Sequence, residues 1–245
     1  MRRNPASFAT GLARAISKCG YCSRSAARRL IKQGQVRVDG KLVRDPHAPV
    51  WTEKDQISVN GEIIRTAARV YLMLNKPRRI LTTANDEKGR ETVYSLLPGS
   101  HHWLAPVGRL DKASEGLLLF TNDSEWAARI TDPATHLDKT YHVQVAALAD
   151  EELILSLKKG VTEGGDLLKA KRASVLRTGS KNCWLEIVLD EGKNRQIRRM
   201  FSALGVEVLR LIRVAIGPLQ LGNLPKGATR ALTPDEVRNL SRVMA

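Results

Sequence analysis

Apolar and polar residues alternate with a period of two in two stretches of the chain. Tyr141, Val143 and Val145 interleave with His142 and Gln144, and Leu185, Ile187 and Leu189 repeat the same spacing. That period predicts half-buried strands over Lys139 to Val145 and around Leu185 to Leu189. The apolar run Tyr71-Leu72-Met73-Leu74 predicts a buried strand, stopped by Asn75-Lys76-Pro77. Between the two alternating strands, Asp150 to Lys159 has acids at its start and lysines at its end, which suits the dipole of a helix. Asn194 to Leu204 predicts a short basic helix closed by Gly205. Thr233-Pro234-Asp235-Glu236 forms a capping-box signature that opens a terminal helix. Strands and helices are interspersed without regular β-α-β spacing, so the expected class is α+β.

The first part of the chain has a different texture. Ala13 to Cys19 predicts one helix. Ser23-Arg24-Ser25 supplies cap candidates for a second over Ala26 to Gln33, closed by Gly34. Leu30 and Ile31 would face inward, with Arg24, Arg28 and Arg29 on the other side. Apolar residues alternating around Asp39-Gly40, from Val36 to Val43, predict a hairpin that carries Arg37 and Lys41. A strand over Gln56 to Val59 ends at a second tight turn, Asn60-Gly61, and Arg65 to Arg69 reads as a linker. The expected organisation is a small module over 1–65 and a larger body over 70–245.

Charge changes the picture most. The 245 residues carry 40 Lys+Arg against 25 Asp+Glu, a net +15, and residues 1–68 hold +8 of it. Such a surplus points to a polyanionic partner, most often nucleic acid. A membrane surface is the weaker rival: no basic helix with a bulky apolar face stands out, and no apolar run nears the roughly 18–20 residues of a span. Aromatics are 4%, so the core is expected to be aliphatic. Three cysteines make no disulfide framework, and Met1 to Thr10 lacks the apolar centre of a signal peptide, so a reducing cytoplasm is expected.

Candidate chemistry concentrates in Pro106 to Asp123. Gly108 and Gly116 flank a polar loop, followed by a strand and a capping run, Thr121-Asn122-Asp123-Ser124. Asp111 lies in that loop between Arg109 and Lys112. It reads either as a nucleophile or base presented over a rigid strand, or as a turn aspartate held by backbone N–H groups. Cys19-Gly20-Tyr21-Cys22 is a single Cys-x-x-Cys pair without the further ligands a zinc site needs, so no metal is expected. His101-His102 reads as a surface loop.

Four segments, in order, carry a family resemblance. Gly108-Arg109-Leu110-Asp111, with Glu115-Gly116-Leu117-Leu118-Leu119 and Thr121-Asn122-Asp123, resembles the catalytic signature of ribosomal RNA pseudouridine synthases (the RsuA/RluB/RluE/RluF family). Leu74-Asn75-Lys76-Pro77, Lys139-Thr140-Tyr141, and Glu191 to Met200 with Leu209 to Gly217 resemble that family's other motifs. Gly20 to Arg24 and Gly34 to Gly40 resemble the ribosomal-protein-S-four-type, or alpha-L, RNA-binding domain.

The resemblance implies a pseudouridine synthase catalytic domain with a mixed, largely antiparallel sheet flanked by helices. The implied reaction is isomerisation of a uridine in ribosomal RNA or a ribosomal subunit precursor, by a cytoplasmic bacterial enzyme that needs no cofactor. A monomer is expected. Asp111 matches the catalytic carboxylate; attack on ribose, removal of a ribose proton and addition to the ring stay open. Arg198 matches the arginine that pairs with it, and Tyr141 the aromatic packed on the uracil face. Leu211 would form the other wall. Lys76, Arg109, Leu110, Arg195 and Gln196 are candidate substrate contacts. Arg24, Arg28, Arg29, Arg37 and Lys41 are candidate RNA contacts. Two positions depart from the pattern: Ser114 stands where the family has Thr, and Arg79 where it has Gly. Arg79 would need another backbone angle or would add an RNA-facing charge. The alternative function is a non-catalytic RNA-binding or ribosome-assembly protein with the same fold, against which the intact Asp111, Tyr141 and Arg198 argue.

Overall fold

The computed structural model describes residues 9–84, 86–99 and 103–244. Met1 to Phe8 and the His101-His102 pair lie outside the described residues. The chain divides into two compact units. One holds the described residues to Val70 with short pieces around Leu104 and Asn122; the other holds most of the chain from Tyr71 on.

In the first unit the order is β1 (Thr10–Gly11), α1 (Leu12–Lys18), α2 (Arg24–Lys32), β2 (Val36–Val38), β3 (Lys41–Leu42), β4 (Pro49–Val50), β5 (Ile57–Val59) and β6 (Glu62–Ile63). The Ser23 hydroxyl accepts the Ala26 N–H and caps α2. Asp39 and Gly40 both have positive φ, 48° and 78°, as do Asn60 and Gly61 at 52° and 86°. Two such residues in a row make the tight turn whose twist suits a hairpin, so β2–β3 and β5–β6 pair antiparallel. Leu12, Ile16, Ala27, Ile31, Val36 and Val59 form a closed core. Leu30 packs on its edge, and Arg24, Arg28, Arg29, Arg37 and Lys41 are all exposed.

The second unit runs β7 (Tyr71–Lys76), β8 (Ala105–Val107), β9 (Glu115–Thr121), α3 (Ser124–Thr131), β10 (Lys139–Val145), α4 (Glu151–Lys159), β11 (Val161–Glu163), β12 (Asp166–Leu168), β13 (Arg172–Thr178), β14 (Cys183–Leu189), α5 (Gln196–Ala203), β15 (Val208–Ile216), β16 (Leu219–Gln220), β17 (Thr229–Ala231) and α6 (Pro234–Arg242). Its sheet has the order β13-β14-β10-β15-β9-β7-β17, with β16 on β15 and β8 on β9. The pairs of β10 with β14 and β15, and of β13 with β14, are antiparallel; β15 and β9 are parallel. The class is the expected α+β, with a mixed sheet. Two apolar clusters fill the unit. Val143, Leu185, Ile187, Met200 and Phe201 lie in one, and Leu117, Leu119, Trp126, Ile130 and Leu240 in the other.

Several boundaries differ from the sequence expectation, among them α1 at Leu12–Lys18 and α2 at Arg24–Lys32, and one hairpin lies outside it. The strand predicted to stop before Asn75 continues to Lys76, because the Asn75 N–H donates to the Ala228 carbonyl. The helix predicted from Asn194 begins at Gln196, because Arg195 takes a left-handed φ of 50°. The Val161–Leu168 hairpin, turning at Gly164-Gly165, was not expected from the sequence; its strands are only three residues each, too short for a readable period.

Gly116 explains how β9 meets β15. Its φ is 103°, and an added Cβ would sit 2.2 Å from the Arg213 carbonyl oxygen. Only glycine permits that approach.

Candidate active site

A cleft of about 520 Å³ opens in the second unit. Asp111, Tyr141, Arg109, Leu110, Leu211, Arg195 and Gln196, all expected from the sequence, line it. Tyr141 stands on β10, paired with Ile187 on one side and Arg213 on the other, and Leu211 pairs with Val143 two residues along. Tyr141 is half-buried and Leu211 buried, so each gives the cleft one apolar surface while resting on the core.

The Asp111 loop is anchored through its backbone. Five consecutive carbonyls each accept a hydrogen bond from elsewhere in the unit. Thr82 Oγ1 donates to Leu110 O at 2.8 Å, and the Arg79 N–H to Lys112 O at 2.7 Å. Lys76 Nζ donates to Asp111 O at 3.1 Å and Ser114 O at 2.9 Å. Arg198 Nη2 donates to Ala113 O at 3.2 Å. Among the described residues, no hydrogen bond or ion pair engages the Asp111 carboxylate. The loop is fixed, and its acid is not consumed in fixing it. That geometry differs from a turn aspartate, whose side chain accepts neighbouring N–H groups.

Lys76 therefore takes a different place from the one expected. It is fully buried, and its ammonium serves three carbonyls, the third being Pro77 O at 3.1 Å. It holds the loop and does not reach the cleft surface. Burial lowers its pKa to about 8, although the charges of Asp111 and Glu115 pull it upward. Gln196 lines the cleft, but its side-chain bonds run within the unit. Its amide donates to Lys169 O at 3.1 Å and Glu191 Oε1 at 2.6 Å and accepts the Lys193 N–H, so its polar atoms close the 191–196 turn. Arg198 is not bonded to the Asp111 carboxylate among the described residues; it reaches the loop backbone at Ala113 instead. Burial lowers its pKa and the charge of Arg195 adds to that, while the charge of Asp111 opposes the shift. Arg79 keeps the left-handed angle, φ 73°, that glycine would adopt freely, and this aims its N–H at Lys112.

Sequence reasoning passed over three residues. Glu115, 1% exposed, accepts a bidentate pair from Arg210 at 3.0 and 3.1 Å and a bond from Lys226 at 2.6 Å. Burial raises its pKa, but those two cations outweigh it and hold the carboxyl below its usual range. Lys139 and Arg213 line the cleft beside Tyr141. The alternation Leu209-Arg210-Leu211-Ile212-Arg213 places Arg213 in phase with Leu211, and that phase was the available signal. Among the described residues no three His, Cys, Asp or Glu side chains gather as metal ligands, and no helix is long and apolar enough to cross a membrane.

The sequence profile of the RNA pseudouridylate synthase family matches residues 70–203, and that of the S4 domain matches residues 10–57. The ribosomal large subunit pseudouridine synthase B of Bacillus subtilis (strain 168) is 40% identical over 232 residues, 94% of this chain and 94% of that protein. An uncharacterized RNA pseudouridine synthase of Aquifex aeolicus (strain VF5) is 36% identical over 94% of this chain and 92% of its own length. A crystal structure of a pseudouridylate synthase superposes with a TM-score of 0.67 at 30% identity, covering 94% of this chain and 99% of that one. With more than half its length matched by the family profile and a 40% identical relative spanning 94% of it, the chain belongs to the RNA pseudouridylate synthase family.

Proposed function

We propose that this chain converts a specific uridine of ribosomal RNA to pseudouridine in the bacterial cytoplasm, with Asp111 as its catalytic carboxylate and no cofactor. The reaction breaks the bond from ribose C1′ to uracil N1, turns the base and joins C1′ to C5. The C5 proton is lost and N1 gains one, so nothing is oxidised. A stacked base is out of reach of such chemistry and must be flipped into a pocket. The observation that carries the reading is the anchored loop. Five tied carbonyls fix the backbone at Asp111 while its carboxylate remains unengaged among the described residues. A preorganised acid of this kind loses little on reaching the transition state.

Around it, Tyr141 packs on one face of the uracil and Leu211 walls the other. Arg109, Leu110 and Arg195 contact the nucleotide at the rim, and Arg198 supports the loop with its charge and its bond to Ala113. The exposed Arg24, Arg28, Arg29, Arg37 and Lys41 of the module over 1–65 contact RNA phosphates. The ribosomal substrate is supported by the Bacillus subtilis relative named for the large subunit. Pseudouridine mapping of ribosomal RNA from cells with and without the gene tests the reading. One or more sites should lose the modification, and purified protein should restore it on unmodified transcript. An unchanged map, with no product on the transcript, would overturn the assignment.

A further inference from the structure

Two cations in the cleft do not serve the Asp111 loop. Arg213, 6% exposed, sits on β15 directly across from Tyr141. Its Nε donates to Leu117 O at 2.7 Å, and Nη2 is buried with no partner. Lys139, two residues before Tyr141 on β10, is half-buried, and its side-chain ammonium makes no hydrogen bond or ion pair among the described residues. Both side chains line the cleft. Burial pushes the Lys139 ammonium below the usual lysine range and the charge of Arg213 pushes it further, while Asp138 and Asp190 pull the other way.

Those two carboxylates have other partners. Asp138 takes Lys171 at 2.7 Å and Arg172 at 3.8 Å, and Asp190 faces His136 at 3.9 Å. The charge of Asp111 acts on Lys76 and Arg198 instead. A buried guanidinium nitrogen without an acceptor is costly, and a second cation beside it adds to the cost. An anion between them removes both penalties.

We propose that Arg213 and Lys139 form an anion subsite in the cleft that takes a backbone phosphate beside the flipped uridine. The ligand class is a phosphate ester. A guanidinium offers paired donors to phosphate oxygens, and an ammonium adds a point charge. The position follows from the strand register: Arg213 is the cross-strand partner of Tyr141, so a base stacked on that ring has its own sugar and phosphate within reach. The proposal rests on the reading of this cleft as a uridine site.

The test uses the whole protein and three probes: uridine 5′-monophosphate, uridine and inorganic phosphate, followed by ligand-observed NMR. Wild type should bind the monophosphate about tenfold more tightly than uridine, the usual worth of a charge-assisted contact. Lys139→Met should remove that preference and leave uridine binding in place. On unmodified ribosomal RNA it should raise KM about tenfold with a much smaller change in kcat. Arg213→Lys, which keeps a cation but loses the fork, should weaken the preference less.

Equal binding of monophosphate and uridine by wild type overturns the proposal, as does a preference that survives in Lys139→Met or monophosphate binding too weak to detect. Inorganic phosphate binding as tightly as the monophosphate would mark a free-phosphate site and overturn it too. If Lys139→Met does not fold, the wild-type comparison alone decides. If wild type makes no pseudouridine yet shows the preference and its loss, the functional reading fails and the subsite stands. Pseudouridine formation without the preference leaves the function standing and overturns the subsite.

Discussion

Arg24, Arg28 and Arg29 of the N-terminal unit stand exposed on one short helix, whereas in the larger unit Lys76 is buried and Arg213 is buried in the cleft wall. The residue types are alike and the physics is not. An exposed cation keeps its water, meets phosphates at long range and is screened by salt. A buried one has lost its water and must find acceptors, so it fixes geometry. Lys76 finds three carbonyls, and Arg198, half-buried, finds the loop at Ala113. On the proposed function, charge in the first unit is a means of grip and in the second a means of aim.

The comparison can be broken first at the residue that is being aimed. Asp111→Asn keeps the shape of the loop and removes the charge. Pseudouridine formation should fall on the order of 10⁴-fold or more, with RNA affinity nearly unchanged. Tritium release from RNA labelled at uracil C5 measures the first, and filter binding the second. Substantial turnover by the purified variant would remove Asp111 from the mechanism.

Lys76→Met is the next largest. It leaves the carbonyls of Pro77, Asp111 and Ser114 without their donor. A carboxylate displaced by an ångström costs about a hundredfold in rate, which is the expected loss in kcat. The same residue sets a pH signature. Its pKa is about 8 when folded against 10.5 when free, so between those values the unfolded chain holds the proton and the folded one does not. This group's contribution to stability therefore rises as pH climbs from about 8 to 10.5. Its grip on the loop weakens over the same range, because a neutral amine has one donor fewer. Wild-type kcat should decline above pH 8, and that limb should be missing from the Lys76→Met profile.

A smaller effect should come from the exposed side. Replacing Arg24, Arg28 and Arg29 together by Gln should lower the slope of log affinity against log salt by roughly two to three. Single-turnover rates at saturating RNA should stay near wild type. An unchanged slope would place the electrostatic grip on the second unit.

The smallest change is at Arg79, held at φ 73°. The left-handed angle costs a non-glycine residue roughly 1 kcal/mol, and glycine returns part of that as entropy of the unfolded chain. Arg79→Gly should stabilise the protein by about 0.5 kcal/mol in denaturant melts and leave kcat intact. A loss of stability would show that the arginine side chain contributes more than its backbone angle costs.

Much of this was legible along the chain. Period-two alternation marked β10 and β14, Asp39-Gly40 and Asn60-Gly61 marked their turns, and Thr233 with Glu236 marked the cap of α6. Each signal lies within a few residues, the range over which backbone angles and side-chain period act. Asp111, Tyr141 and Leu211 were likewise legible as a set, through the motifs that hold them. The donors to the loop were not. Lys76 and Arg198 read as contacts for substrate or carboxylate, yet they bond backbone carbonyls 35 to 85 positions away. A carbonyl has no letter of its own in a sequence, so only the tertiary structure decides which side chain meets it. The same holds for Arg213. Its phase with Leu211 was visible, but its unfilled nitrogen depends on how closely Gly116 lets β9 approach β15 and on which nearby carboxylates were already paired elsewhere.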